Sequence, residues 1–197
     1  MRCLIGLTGS IGMGKSSTAK LFSDAGCDVW DADQAVHRLY AKDGAATSLI
    51  GDLFPSALGP DGVDRAELRN IIASTPDALK KIEQIVHPLV AQDREQFKTE
   101  SNKDILVFDI PLLFETSGEA HMDVTICVHI DPATQRERVL DRGTMSEQQF
   151  EQILAKQMPI ADKLARADYT LFTDTPEHAL SQVQDILSDI RKKMADA

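Results

Sequence analysis

One stretch near the N-terminus restricts the possible folds more than any other. Residues 9–16 read Gly9-Ser10-Ile11-Gly12-Met13-Gly14-Lys15-Ser16, a complete match to G-x-x-x-x-G-K-[ST]. An apolar run over 3–7 precedes it and a helical pattern over 15–25 follows it, stopping at Gly26. A buried strand, a glycine loop and a helix in that order place backbone N–H groups at a helix N-terminus, where they attract an anion. Lys15 then reaches the β- and γ-phosphates of a nucleotide as a point charge. The Ser16 hydroxyl suits Mg²⁺, which prefers oxygen donors. The alternative, a glycine-rich turn that happens to carry Lys-Ser, does not account for the strand before it and the helix after it.

Further short apolar runs lie at 27–30, 105–108 and 124–130, with a weaker one at 169–172. Such runs predict strands buried on both faces. Helical patterns fall between them. One covers 64–73 and opens with an Asp64/Glu67 cap signature. A stripe of Leu79, Ile82 and Val86 follows and breaks near Pro88. Others cover 132–140, 146–156 with Ser146 as N-cap, and 176–193. The alternation predicts an α/β fold with a five-stranded, mainly parallel sheet. Ligands bind such sheets beyond the strand C-termini. Two helical excursions interrupt the core (about 1–35, 103–135 and 168–197). The first is an almost wholly helical lobe at about 36–102, the second lies at about 136–167.

Acidic residues outnumber basic ones 31 to 21, a formal charge of −10. A broad nucleic-acid face is therefore not expected, although a local cationic pocket can still hold a small polyanion. Three cysteines without C-x-x-C spacing predict reduced thiols in a reducing compartment. No apolar run approaches the roughly 20 residues of a membrane helix. The first residues predict a buried strand rather than a signal peptide. A cytoplasmic protein without a membrane partner is the expectation.

Carboxylates stand at the strand ends. Asp31 and Asp33 follow the second run, and Asp109 closes the third. A phosphotransferase needs a group to orient or deprotonate the acceptor hydroxyl, and a metal to offset developing charge. Asp33 is the candidate for the first task. Asp31 and Asp109 are candidates for the Mg²⁺ shell, through water, but such residues also cap helices. Residues 136–166 carry Arg136, Arg138, Arg142, Lys156, Lys163 and Arg166 against Glu137, Asp141, Glu147, Glu151 and Asp162, a local excess of one positive charge. Arg138 and Arg142 share a helix face. Arg142 is the candidate clamp for a transferring phosphoryl group, with Gly143 as a hinge; the plainer reading is a solvated helix with ion pairs. His37 and His87 are either substrate contacts or helix-end packing residues.

No D-x-x-G after a strand and no N/T-K-x-D motif occurs, which argues against a GTPase switch. No Gly-Gly occurs, which argues against a shikimate-type kinase. The chain resembles the dephospho-coenzyme A kinases nearly end to end. The resemblance rests on LTGSIGMGKSS at 7–17, DAD at 31–33 with His37 behind it, and Asp64-Arg65 with Leu68. It continues with IVHPLV at 85–90, DIPLLFE at 109–115, Arg142 followed by Gln157, and ARADY at 165–169. It implies a P-loop NTPase core of three α/β/α layers with a helical acceptor-binding lobe and a helical lid. It also implies transfer of the ATP γ-phosphoryl group to the ribose 3′-hydroxyl of dephospho-CoA, with Mg²⁺, in a monomer or weak homo-oligomer. By matched position, Gly12, Met13, Gly14, Lys15, Ser16 and Ser17 would line the ATP phosphates. Lys15, Asp33 and Arg142 would be catalytic. Asp33, His37 and His87 would meet the acceptor, and Ser16, Asp31 and Asp109 the metal. Another P-loop nucleoside or nucleotide kinase, or a nucleotide-dependent regulatory ATPase, remains the alternative.

Overall fold

The computed structural model describes residues 2–196. Its elements run β1 (Cys3–Gly9), α1 (Lys15–Asp24), β2 (Asp28–Asp31), α2 (Ala32–Tyr40), α3 (Thr47–Leu53), β3 (Leu58–Gly59), β4 (Gly62–Val63), α4 (Arg65–Ser74) and α5 (Ala78–Glu100). They continue with β5 (Ile105–Asp109), β6 (Val124–His129), α6 (Pro132–Asp141), α7 (Glu147–Leu154), α8 (Ile160–Arg166), β7 (Tyr169–Phe172) and α9 (Pro176–Ala195).

The five expected strands form one sheet in the order β2-β5-β1-β6-β7. The central strand β1 pairs in parallel with β5, Leu7 opposite Asp109, and with β6, Gly9 opposite Val128. His129 of β6 stands opposite Phe172 of β7. The C-terminal ends of these strands thus share one edge, where the glycine loop begins. Gly9 is required there by close approach: a Cβ on it would lie 2.5 Å from Val128 Cγ2 and 2.9 Å from the Val128 carbonyl. Helix α1 buries Thr18, Ala19 and Phe22. Phe22 joins Ile5, Leu7, Val128, Leu171, Val183 and Leu187 in the main core. Side chains of this size contribute about 1.5–3 kcal/mol each when fully buried. Gly26, just past α1, takes φ +93 and donates its N–H to Ser23 O, the C-terminal stop expected of it.

The chain divides into two compact units, one up to Trp30 and from Asn102 onward, the other Asp31–Ser101. The second unit has its own core, including Leu39, Ile50, Leu68, Ile82 and Val86. Asp64 caps α4 through bonds from the Ala66 and Glu67 amides, 2.8 and 3.1 Å. One expectation for this stretch needs correction. Helix α5 does not break near Pro88 but runs through it to Glu100. Proline removes one helical donor and crowds one carbonyl, and Ile82, Val86, Leu89 and Val90, packed into the core on either side, hold the helix together. Within this mostly helical stretch the short strands β3 and β4 form a hairpin. Its Gly62 takes φ +115, and a Cβ there would meet Tyr40 O at 2.2 Å.

The coarse periodicity did not separate α2, α3 and α8. These helices have 9, 7 and 7 residues, too few turns for a clear apolar stripe. In the second excursion, Ser146 and Gln149 form a reciprocal capping box at α7. Cys3, Cys27 and Cys127 are buried free thiols. Burial pushes the Cys3 and Cys127 thiols up to about 11, so both stay protonated and inert at neutral pH. Among the described residues no helix is long and apolar enough to cross a membrane.

Candidate active site

Strand β1 delivers the chain into the loop at Ser10, and Gly14 starts α1 in the left-handed conformation at φ +84. Gly12 sits at φ +78, and a Cβ on it would lie 2.3 Å from Val139 Cγ2. The loop is fastened from several sides. Met13 turns its side chain into the core at 1% exposure, and its amide donates to Ser10 O at 3.2 Å. Gln135 Nε2 donates to Ile11 O at 2.7 Å, and the Ile11 amide donates to Gln157 Oε1 at 3.2 Å. The Thr173 hydroxyl donates to Met13 O at 2.9 Å. The first turn of α1 adds backbone N–H groups that have no intrahelical acceptor.

Lys15 and Asp109 come together as an ion pair, with Asp109 almost wholly buried at the end of β5. Ser16 and Ser17 are exposed on the first turn of α1. Gly12, Gly14 and Ser17 line a cavity of about 400 Å³ together with Arg138, Arg142 and Pro176. Arg138 and Arg142 thus share a face, as their spacing requires. Their partners differ. Arg138 donates to Thr173 O at 2.8 Å and to Asp174 O at 3.2 Å. Arg142 ends α6 exposed, followed by Gly143 at φ +63 with open space around its Cα. The cavity's far wall is the turn into α9. There Asp174 receives the Thr175 amide and His178, bonds that hold its carboxyl below the usual range.

The remaining sequence candidates belong to the other unit. Asp31 ends β2 and caps α2, its Oδ1 accepting the Gln34 amide at 2.9 Å. Asp33 is exposed on the first turn of α2, with His37 one turn later on the same face. His87 is exposed on α5. Helix α2 is tied to α5 by Arg38 and Asp93 at 2.6 Å.

The donor set suits Mg²⁺. Ser16 and Asp109 offer hard oxygens. Among the described residues no group of three or more His, Cys, Asp or Glu could cage a metal without help. Such an ion would arrive with nucleotide phosphates and keep water ligands.

The dephospho-CoA kinase family model matches residues 3–177. This chain belongs to that family. It is 60% identical to the dephospho-CoA kinase of Ruegeria pomeroyi over 95% of each chain. It is 52% identical to that of Cereibacter sphaeroides over 98% of each. A crystal structure from Thermus thermophilus superposes with a TM-score of 0.85 at 29% identity, covering 95% of this chain and 97% of that one.

Residues that brace the family's phosphate loop here lie far from it in sequence. Gln135 and Thr173 lie 124 and 160 positions from the residues they hold. Spacing carries no signal over such distances. Lys163 was one cation among six; it is fully buried, 2.8 Å from Glu115. Its ammonium also donates to Pro111 O at 3.1 Å. Glu115 receives the Met158 amide as well, at 2.9 Å. Residues 111–115 thereby anchor the end of the second excursion, right after Gln157.

Proposed function

We propose that the chain transfers the γ-phosphoryl group of ATP to the ribose 3′-hydroxyl of dephospho-CoA, releasing CoA and ADP. The observation that carries this reading is the intact phosphate loop, Gly12 and Gly14 at positive φ and Lys15 beside a buried carboxylate, in a chain matched to the family over 3–177. In this reading the amides of the loop and the start of α1 bind the phosphate chain. Lys15 exchanges Asp109 for phosphate oxygens. The cavity between α1, α6 and the start of α9 takes the base and ribose. Ser16 would hold Mg²⁺, with Asp109 and Asp31 supporting its water shell; the ion supplies charge compensation to the phosphate oxygens. Asp33 accepts the proton of the 3′-hydroxyl as the acceptor oxygen attacks. Arg142 meets the charge spread over the equatorial oxygens. His37 and His87 contact the acceptor held by the 36–102 lobe. Buried reduced thiols support a cytoplasmic setting.

The deciding assay is coupled detection of ADP from MgATP, with and without dephospho-CoA, alongside a panel of nucleosides, nucleoside monophosphates and shikimate. ADP release should depend on dephospho-CoA and match CoA formed mole for mole. Acceptor-independent hydrolysis, or turnover confined to another member of the panel, would overturn the reading.

A further inference from the structure

A trans peptide unit is planar, so the C=O of one residue and the N–H of the next point in opposite directions. The peptide bonds described here are trans. Anchoring a loop carbonyl from outside therefore aims the following amide inward. Two loop carbonyls are anchored in this way. Ile11 O accepts Gln135 Nε2 at 2.7 Å, and the amide of that unit belongs to Gly12. Met13 O accepts the Thr173 hydroxyl at 2.9 Å, and the amide of that unit belongs to Gly14. Both anchors are buried, Gln135 at 4% and Thr173 at 7% exposure, so water competes little for these bonds. Thr173 is itself oriented: its hydroxyl accepts from Arg138 Nη1 at 3.3 Å, and its amide donates to His129 O at 2.9 Å. The Thr173 side chain also lies 3.0 Å from where a Gly14 Cβ would sit, so the anchor fits only against glycine.

We propose that Gln135 and Thr173 are positioning residues for phosphate binding, holding the Ile11 and Met13 carbonyls outward so that the Gly12 and Gly14 amides converge on the nucleotide's phosphates. Arg138 serves the same purpose one step removed, by fixing Thr173. The inference rests on residues 9–16 as a phosphate cradle. Its test contains no acceptor, so a wrong acceptor assignment leaves the outcome untouched.

The test measures ADP and AMP affinity by titration calorimetry on the full chain with Mg²⁺. AMP reports the base, the ribose and one phosphate, whereas ADP adds a phosphate that reaches the loop. Thr173→Val keeps the side-chain shape and deletes the donor; Thr173→Ser keeps the donor. Thr173→Val should weaken ADP about five-fold, the value of one net hydrogen bond. AMP should change by less than about two-fold, and Thr173→Ser should restore ADP. An unchanged ADP affinity overturns the proposal. So does an equal loss for ADP and AMP, which would make Thr173 a wall of the base cavity, and so does failure of the serine variant to rescue. Gln135→Met applies the same criterion to the other carbonyl and decides the matter if Thr173→Val does not fold.

Discussion

Removing Lys163 tests how the second helical excursion is held. Its ammonium is wholly buried, 2.8 Å from Glu115. Lys163→Met keeps most of the volume and leaves Glu115 as a charge without its cation. Breaking a buried pair from one side costs about 3–5 kcal/mol. The cost here falls toward or just under the low end, about 2–3 kcal/mol, because Glu115 is 17% exposed and keeps the Met158 amide. Pro111 O loses one donor but keeps the Thr8 hydroxyl at 3.0 Å. The single Trp30, buried against Phe108, reports unfolding of its unit by fluorescence in urea. With a urea slope of about 2 kcal/mol/M, the midpoint should fall by about 1–1.5 M.

The same pair makes stability depend on pH. Burial pushes the Glu115 carboxyl up, but hydrogen bonds from Lys163 and the Met158 amide, with the Lys163 charge, outweigh it and leave the group below its ordinary value. A group lowered on folding contributes stability above its unfolded pKa and loses it as pH falls through the folded one. The gap between wild type and Lys163→Met should therefore be full at pH 7 and close below the ordinary carboxylate range, about 4.3. A Lys163→Met/Glu115→Met double variant should be less destabilised than the single one, since an apolar pair of similar volume is tolerated. A cost under about 0.5 kcal/mol at pH 7, or a gap that widens in acid, would refute this reasoning.

Two further outcomes follow from the site. Asp33→Asn should lower kcat about 10²-fold or more while leaving ADP affinity within error, as expected for loss of an acceptor base; turnover retained within a few-fold removes Asp33 from that role. Gly12→Ala places a side chain at φ +78 and 2.3 Å from Val139 Cγ2. It should destabilise the protein by about 1–3 kcal/mol in thermal melts and weaken ADP at least about ten-fold, whereas normal melting and normal ADP affinity would show that the loop tolerates another conformation.

How much was legible in the chain varied with the range of the interaction. The loop at 9–16, the caps at Asp64 and Ser146 and the stop at Gly26 depend on contacts within a few residues, and each matched its pattern; the five strands showed as local apolar runs, although their pairing joins distant residues such as Leu7 and Asp109. Pro88 misled because a local cost was set against no knowledge of the packing on either side, where Ile82 and Leu89 sit against the core. Asp31 forms the cap on α2 that its place at the end of β2 allows.

Residue types and short spacings were enough to specify an anion-binding loop at a helix start, because backbone sterics and helix electrostatics act locally. Which groups brace that loop was settled by folding, when α6, the segment after α7 and the end of β7 bring Gln135, Gln157 and Thr173 onto the backbone of Ile11 and Met13. The same holds for Lys163, whose burial beside Glu115 exists only once α8 packs near the turn after β5. Hydrogen bonds and charge pairs reach about 3 Å in space regardless of separation along the chain, so their partners become readable only when the chain is folded.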